Sequence, residues 1–340
     1  MRRRLVALSV APLLLGAAAC GSSGTPQANP SHSPAPSASS PAASPTPPEQ
    51  KADIPGVTVN GDFGQQPQVK IDAPLKLTRS EFTVVHKGNG DPVQAGKQAL
   101  VNLYLADAKT GKEVASTFGQ STPYYLAQVS STSFFPAVID AITGQPVGTR
   151  VAVALLPNDA YGTKGNPQLH IGANDPVVFV VDVVSAEPSN VLSGPQGSEA
   201  TNLPKNIPTL VEKNGTVSGV DFSHAPQKPS GKLQIYTLIQ GHGEPVRKPS
   251  LVTFNYLGEI YGTDKVFDES YSSSPRTFPV GMGNLIKAWD QGMIGLKTGS
   301  RVLMVVPPDY GYGASGNSQS NPPIKGTDTL VFVIDILGVG

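Results

Sequence analysis

Apolar and polar residues alternate with a period of two through much of this chain. Val252, Phe254 and Tyr256 alternate with Thr253 and Asn255, and Leu330, Phe332, Ile334 and Ile336 occupy every second position of a run near the end. Successive side chains of a strand point to opposite faces, so this spacing predicts strands with a core-facing side. One stretch departs from it. Residues Asn284–Ile294 read as a short helix, with Asn284 placed to cap its start and Gly295 to stop it. Strand after strand with one brief helix predicts an α+β unit, an antiparallel sheet closing on a helix.

The pattern occurs twice. The run from Val84, VVHKGNGDPVQAGKQALVNLYLADAKTGKEVAS, matches the run from Leu238, LIQGHGEPVRKPSLVTFNYLGEIYGTDKVFDES. Downstream, PVGTRVAVALLPNDAYGTKGN matches LKTGSRVLMVVPPDYGYGASGN, and PVVFVVDVV matches TLVFVIDIL. A repeat spaced by roughly 150 residues means duplicated domains and not a solenoid. The domains are placed at 53–187 and 207–340. Residues 188–206, with Pro188, Gly194, Pro195, Gly197 and Pro204, read as a linker.

The N-terminus follows a different rule. Arg2, Arg3 and Arg4 precede an apolar run from Leu5 to Ala19, which is short for a membrane span of about 20 residues. A basic start, a short apolar stretch and small residues form a secretory signal, here 1–19. Ala17-Ala18-Ala19-Cys20 resembles the lipobox of a bacterial lipoprotein signal, with Ala17 where Leu is usual. The resemblance implies that Cys20 carries the lipid and becomes the mature N-terminus. It places the protein outside the cell, anchored to the outer face of the bacterial membrane. Residues 20–52 hold Pro26, Pro30, Pro34, Pro36, Pro41, Pro45, Pro47 and Pro48 among Ser and Ala. Such a segment buries too little surface to offset its chain entropy and reads as a disordered tether. Extended, it would reach on the order of 100 Å.

Composition narrows the chemistry. The 340 residues carry 25 basic and 25 acidic side chains, without the basic excess that nucleic-acid binding needs. A single Cys excludes a disulfide framework and a multi-cysteine metal site. The five His residues (32, 86, 170, 224 and 242) have no metal-ligand spacing. Gly281-Met282-Gly283 lacks the third Gly and the parallel context of a dinucleotide loop. No nucleophile or acid–base pair stands at a catalytic spacing.

The remaining signal is aromatic. Ten of the 22 aromatic residues fall between Phe254 and Phe332. Tyr256, Phe267, Trp289, Tyr312 and Phe332 come from separate elements, and Asp268 follows Phe267 directly. Some must be core, yet an aromatic bowl with a few polar tips is the usual shape of a small binding site.

VTFNYLGEI, KVFDES, TFPVGMGNLIKAWDQGMIGLKTGSR, VVPPDYGYGASG, NPPI and TLVFVIDIL resemble, in order and spacing, the FKBP-type peptidyl-prolyl isomerases, over about 90 residues. The resemblance implies a five-stranded antiparallel sheet wrapped around one short helix in each copy. It implies cis/trans isomerisation of X–Pro bonds without a cofactor, with proline-containing polypeptides as substrates and macrolide immunosuppressants as a second ligand class. It makes Trp289 the pocket floor and Tyr256, Phe267, Leu285, Ile286 and Phe332 its surround. The Tyr312 hydroxyl and the Ile286 N–H would bond ligand carbonyls, with Asp268 a polar wall residue. The chain departs from the family at Arg276, where an aromatic is common, and in the polar loop with Asn317, Ser320 and Asn321.

The first copy departs further. The repeat places Val114 and Ala115 opposite Phe267 and Asp268, and Val138 opposite Trp289. Tyr104, Tyr161 and Phe179 match Tyr256, Tyr312 and Phe332. A folded but catalytically weak or silent copy is expected at 53–187.

Overall fold

A computed structural model describes residues 47–340. The signal, Cys20 and all but the end of the tether lie outside the described residues.

The duplication extends to the order of the strands and the α-helix. The first copy contains β1 (Glu49–Lys51), β2 (Val57–Asn60), β3 (Gln68–Ile71), β4 (Glu81–His86), β5 (Ala99–Asp107), β6 (Lys112–Ser116), β7 (Tyr124–Leu126), α1 (Pro136–Ile142), β8 (Arg150–Leu155) and β9 (Val177–Ala186). The second contains β10 (Gly197–Glu199), β11 (Thr209–Lys213), β12 (Thr216–Asp221), β13 (Gln234–Gly241), β14 (Ser250–Ile260), β15 (Val266–Glu269), β16 (Arg276–Val280), α2 (Lys287–Gly292), β17 (Arg301–Val306) and β18 (Leu330–Val339). The sheet orders are β1-β4-β8-β9-β5-β6 and β10-β13-β17-β18-β14-β15, with β7 and β16 also paired to β5 and β14. Since β15 and β16 pair with successive halves of the long β14, they share one edge. Five antiparallel positions result, extended at the far edge by β1 or β10. Strand β1 lies in the stretch read as tether, and β10 in the stretch read as linker.

Both faces of each sheet are covered. In the second copy, Val252, Phe254, Tyr256, Met304, Phe332, Ile334 and Ile336 pack under α2, with Ala288, Trp289 and Met293. The alternate residues Leu257, Leu303, Val305, Val331 and Val333 pack under the β11–β12 hairpin, with Val217 and Val220. This double burial explains why β18 reads almost continuously apolar. Hairpin β2–β3 covers the first sheet in the same way, over Tyr104, Ala152, Ala154, Val178 and Val180.

An arginine latches each hairpin. Arg150 and Asp182 are cross-strand partners, fully buried and bidentate, with N–O distances of 2.6 and 2.8 Å. The same guanidinium donates to the Gly61 and Gln65 carbonyls in the loop of the β2–β3 hairpin. Arg301 repeats the arrangement with Asp335, and reaches Glu212 on β11 at 2.8 Å. A planar fork can bind a carboxylate bidentately and still reach a second acceptor, a geometry that the point charge of Lys does not match.

The helix is shorter than Asn284–Ile294. It begins at Lys287, and its N-cap is Ile286 in an extended conformation (φ −59°, ψ 146°) with no side-chain cap. The reason lies inside the helix. Asp290 is buried and accepts from Gly281 N (2.8 Å) and Leu285 N (3.4 Å), so residues 281–286 fold back as a loop. Among the described residues, no helix is long and apolar enough to cross a membrane.

Candidate functional site

Alternation on β14 sends Phe254 and Tyr256 to the helix side of the sheet, and β18 sends Phe332 there too. Trp289, on the inward side of α2, stands among them. Its ring centroid lies 5.1 Å from Phe332, 5.2 Å from Tyr256, 5.2 Å from Phe254 and 6.0 Å from Phe278, all edge to face. Phe267 on β15 meets Phe332 edge-on at 5.6 Å. Edge-to-face contacts of this kind add about 0.5–1.5 kcal/mol each beyond area burial, so the rings hold one another in place. Leu285, Ile286 and Tyr312 pack half-buried against the same cluster. All eight residues singled out in the second copy are therefore brought to one region.

Two polar groups are held within this apolar wall. The Tyr256 hydroxyl donates to Asp268 Oδ2 at 2.7 Å. Burial raises the Asp268 carboxyl above its ordinary range, opposed by the Tyr256 bond and the positive charge of Arg276. Burial and the adjacent carboxylate push the Tyr256 phenol far above its usual value, so it remains a donor. Burial also raises Tyr312, with the Asn317 side chain opposing the shift. The Trp289 indole N–H is buried without a hydrogen-bond partner in the protein. Neutral donors beside a dry aromatic surface can orient a carbonyl but offer no nucleophile. Among the described residues, no cluster of three or more His, Cys, Asp or Glu is placed to hold a metal.

Sequence reasoning missed four contributors. Phe254 and Phe278 complete the ring set, stacked at 5.3 Å, and the alternation of Phe254 with Tyr256 was a signal for the first of them. Asp290 positions the loop that carries Leu285 and Ile286. Gly258 pairs with Phe332 across the strands. A Cβ there would stand 2.6 Å from Phe267 and 2.8 Å from Phe332.

Strand register gives the first copy's residues directly, and it corrects one of them. Phe332 pairs with Gly258 and Ile334 with Tyr256, whereas Phe179 pairs with Leu105 and Val181 with Leu103. Leu103, not Tyr104, therefore occupies the Tyr256 position. Tyr104 lies one residue along and points to the opposite face, under the β2–β3 hairpin. A shift of one residue exchanges the faces of a strand, and two tyrosines in similar strings concealed it. Val114 and Ala115 do take the places of Phe267 and Asp268. Val138 takes that of Trp289 on the helix. The lost volume is refilled from elsewhere: Phe135 lies 5.4 Å from Phe179 and 5.2 Å from Tyr161, and Phe134 lies 5.8 Å from Phe179.

Comparison with known proteins agrees with this duplication. The sequence model of the FKBP-type peptidyl-prolyl cis-trans isomerases matches residues 90–184 and 243–337, more than half of the chain. An FK506-binding protein of Streptomyces anulatus is 32% identical over 121 residues, covering 35% of this chain and 94% of that protein. One from Neisseria meningitidis is 36% identical over 110 residues, covering 32% of this chain and 97% of that protein. The match to the 39 kDa FK506-binding nuclear protein of Drosophila melanogaster, 32% identical over 117 residues, takes in 34% of this chain and only 32% of that relative's length. The match to FK506-binding protein 2 of Aspergillus oryzae takes in 66% of its length. Among solved structures, the three FKBP domains of wheat FKBP73 align over 77% of this chain and 94% of that one, at 16% identity and a TM-score of 0.32. With its family pattern present twice, and with relatives matched over nearly their whole length, the chain belongs to the FKBP-type peptidyl-prolyl cis-trans isomerase family.

Proposed function

We propose that the second copy catalyses cis/trans isomerisation of X–Pro bonds in exported polypeptides. The protein would be held at the outer face of a bacterial membrane through lipidated Cys20. The observation that carries the catalytic reading is the ring cluster around Trp289, with Tyr256 bonded to Asp268 in its wall.

Rotation about an X–Pro amide breaks its resonance, against a barrier of about 18–20 kcal/mol. The planar amide is more charge-separated than the twisted one and loses more on leaving water. A dry aromatic surface therefore binds the twisted state better, which is the differential binding that lowers a barrier. The Tyr312 hydroxyl and the Ile286 N–H supply donors for the flanking carbonyls, which fixes the peptide while the bond turns. Uncatalysed isomerisation takes tens to hundreds of seconds, long enough to limit the folding of exported chains.

A protease-coupled isomerisation assay on the full chain tests this reading. Tyr312→Phe is expected to lower kcat/KM several-fold, and Trp289→Leu at least tenfold, about 1.4 kcal/mol of transition-state binding. The first copy has Val138 and Ala115 where Trp289 and Asp268 stand, so the Trp289→Leu chain should retain no more than a tenth of the activity. Wild-type protein that leaves the uncatalysed rate unchanged would sink the enzyme reading. In its place would stand a holdase that grips proline-containing segments, which the polar loop at Asn317, Ser320 and Asn321 favours. Mass spectrometry of the mature N-terminus tests the anchor: an unmodified terminus beyond residue 20 removes it.

A further inference from the structure

Arg276 opens β16 and pairs across the sheet with Phe254. By strand alternation it shares a face with Phe278, two residues on, which packs on the ring cluster. Its side chain is exposed, and it forms no ion pair and no side-chain hydrogen bond among the described residues. Its charge nevertheless acts on Asp268 and Tyr256 in the wall. The corresponding position of the first copy is Tyr124, whose ring packs on Phe134 at 5.6 Å. There the place is used for packing; in the second copy it holds a cation.

The neighbouring charges sharpen the point. Lys287 follows Ile286 at the start of α2, is exposed and is likewise unpaired. The acids nearby are already engaged. Asp268 is bonded by Tyr256, Glu269 accepts from the Ser272 backbone and hydroxyl, and Asp290 accepts from Gly281 and Leu285. Arg276 on β16 and Lys287 after Ile286 are thus exposed cations close in sequence to residues of the site, without partners among the described residues.

We propose that Arg276 is a specificity-determining residue, selecting segments that carry Asp or Glu within a residue or two of the proline and disfavouring Lys and Arg there. This rests on the proline-segment reading of the site, whether that site turns the bond over or only holds it. Exposed pairs contribute modestly, so the preference should be several-fold and screened by salt.

The test compares two peptides that differ only in Glu or Lys immediately before the proline. The full chain is used, at ionic strengths of about 0.02 and 0.5 M. Turnover is read as kcat/KM. Binding is read independently from the fluorescence of Trp289, the only Trp in the chain. The Glu peptide should be favoured about three- to tenfold at low salt and less at high salt. Arg276→Gln should collapse the ratio toward one, and Arg276→Glu should reverse it. Equal binding of the two peptides, or a preference that persists in Arg276→Glu, overturns the proposal. No turnover combined with Glu-selective binding would reject the isomerase reading and leave this inference standing.

Discussion

Gly258 decides how the aromatic wall is built. Its missing side chain is what lets Phe267 meet Phe332 edge-on, since a Cβ would come within 2.6 and 2.8 Å of the two rings. The first copy solves the same space with the opposite distribution, a buried Leu105 at the strand position and the smaller Val114 beside it. Two volume-conserving arrangements are thus available to one backbone, and only one of them leaves Phe267 in place. Gly258→Ala should force one ring aside, destabilising the second copy by about 1–3 kcal/mol and lowering kcat/KM several-fold. Adding Phe267→Val should restore part of the stability without the activity, because the clash and the ring belong to one pair. Urea midpoints of the two single variants and the double would show this as strong non-additivity. Additive losses would mean that the ring contact does not depend on Gly258.

The hairpin of β11 and β12 turns a buried charge into a pH-dependent element. Glu259 is 1% exposed beneath it, and its carboxylate accepts from Val220 N at 2.9 Å. Burial pushes its carboxyl up to about 7, with the Val220 bond opposing and Asp264 adding to the rise. The folded chain therefore holds this proton up to near pH 7, while the unfolded chain releases it near 4.5. Stability from this group is fully present below pH 4.5 and is lost as pH rises through 7, on the order of 2–3 kcal/mol. Asp268, also raised, contributes with the same sign. Urea unfolding followed at Trp289 should show the midpoint falling between pH 5 and pH 8, and Glu259→Gln should remove most of that slope. A wild-type midpoint that is flat or rises over this range would contradict it. Nothing in the one-dimensional pattern marked Glu259 as buried, since the hairpin residue that covers it, Val220, is 39 positions away in sequence. The strands were legible because alternation is local; the aromatic candidates and Asp268 stood out by residue type, whereas Leu285 and Ile286 came only with the family resemblance. Tyr104 was misplaced and Asp290 overlooked for a shared reason: strand register and the loop held by Asp290 are set by contacts between elements, which letter spacing does not contain.

At the scale of the whole chain, the two copies are joined by hydrogen bonds and not only by a linker. Ser185, near the end of β9, is fully buried, donates to the Gly340 carbonyl at 2.9 Å and accepts from Leu251 N at 2.8 Å. The linker itself is bonded along the second copy, through Leu192 to Leu337, Gln196 to Gly299 and Ala200 to Leu238. Gln98 of the first copy, held by Tyr125, donates to the Thr277 carbonyl on β16, the strand that carries Arg276 and Phe278. The first copy, which has Val138 and Ala115 where Trp289 and Asp268 stand, is thus bonded to the edge strand of the other copy's candidate site. Ser185 is the sharpest place to test that coupling, because it belongs to the first copy while both of its partners belong to the second. Ser185→Ala leaves the Leu251 N–H buried and unpaired, a loss of about 1–3 kcal/mol. Since the only Trp lies in the second copy, its fluorescence reports that copy alone, while far-UV circular dichroism reports both. In the wild type the two signals should unfold together. In Ser185→Ala the Trp289 transition should move to lower urea, ahead of the circular dichroism curve. A variant whose two transitions stay superimposed at the wild-type midpoint would show that the Ser185 bonds do not couple the copies.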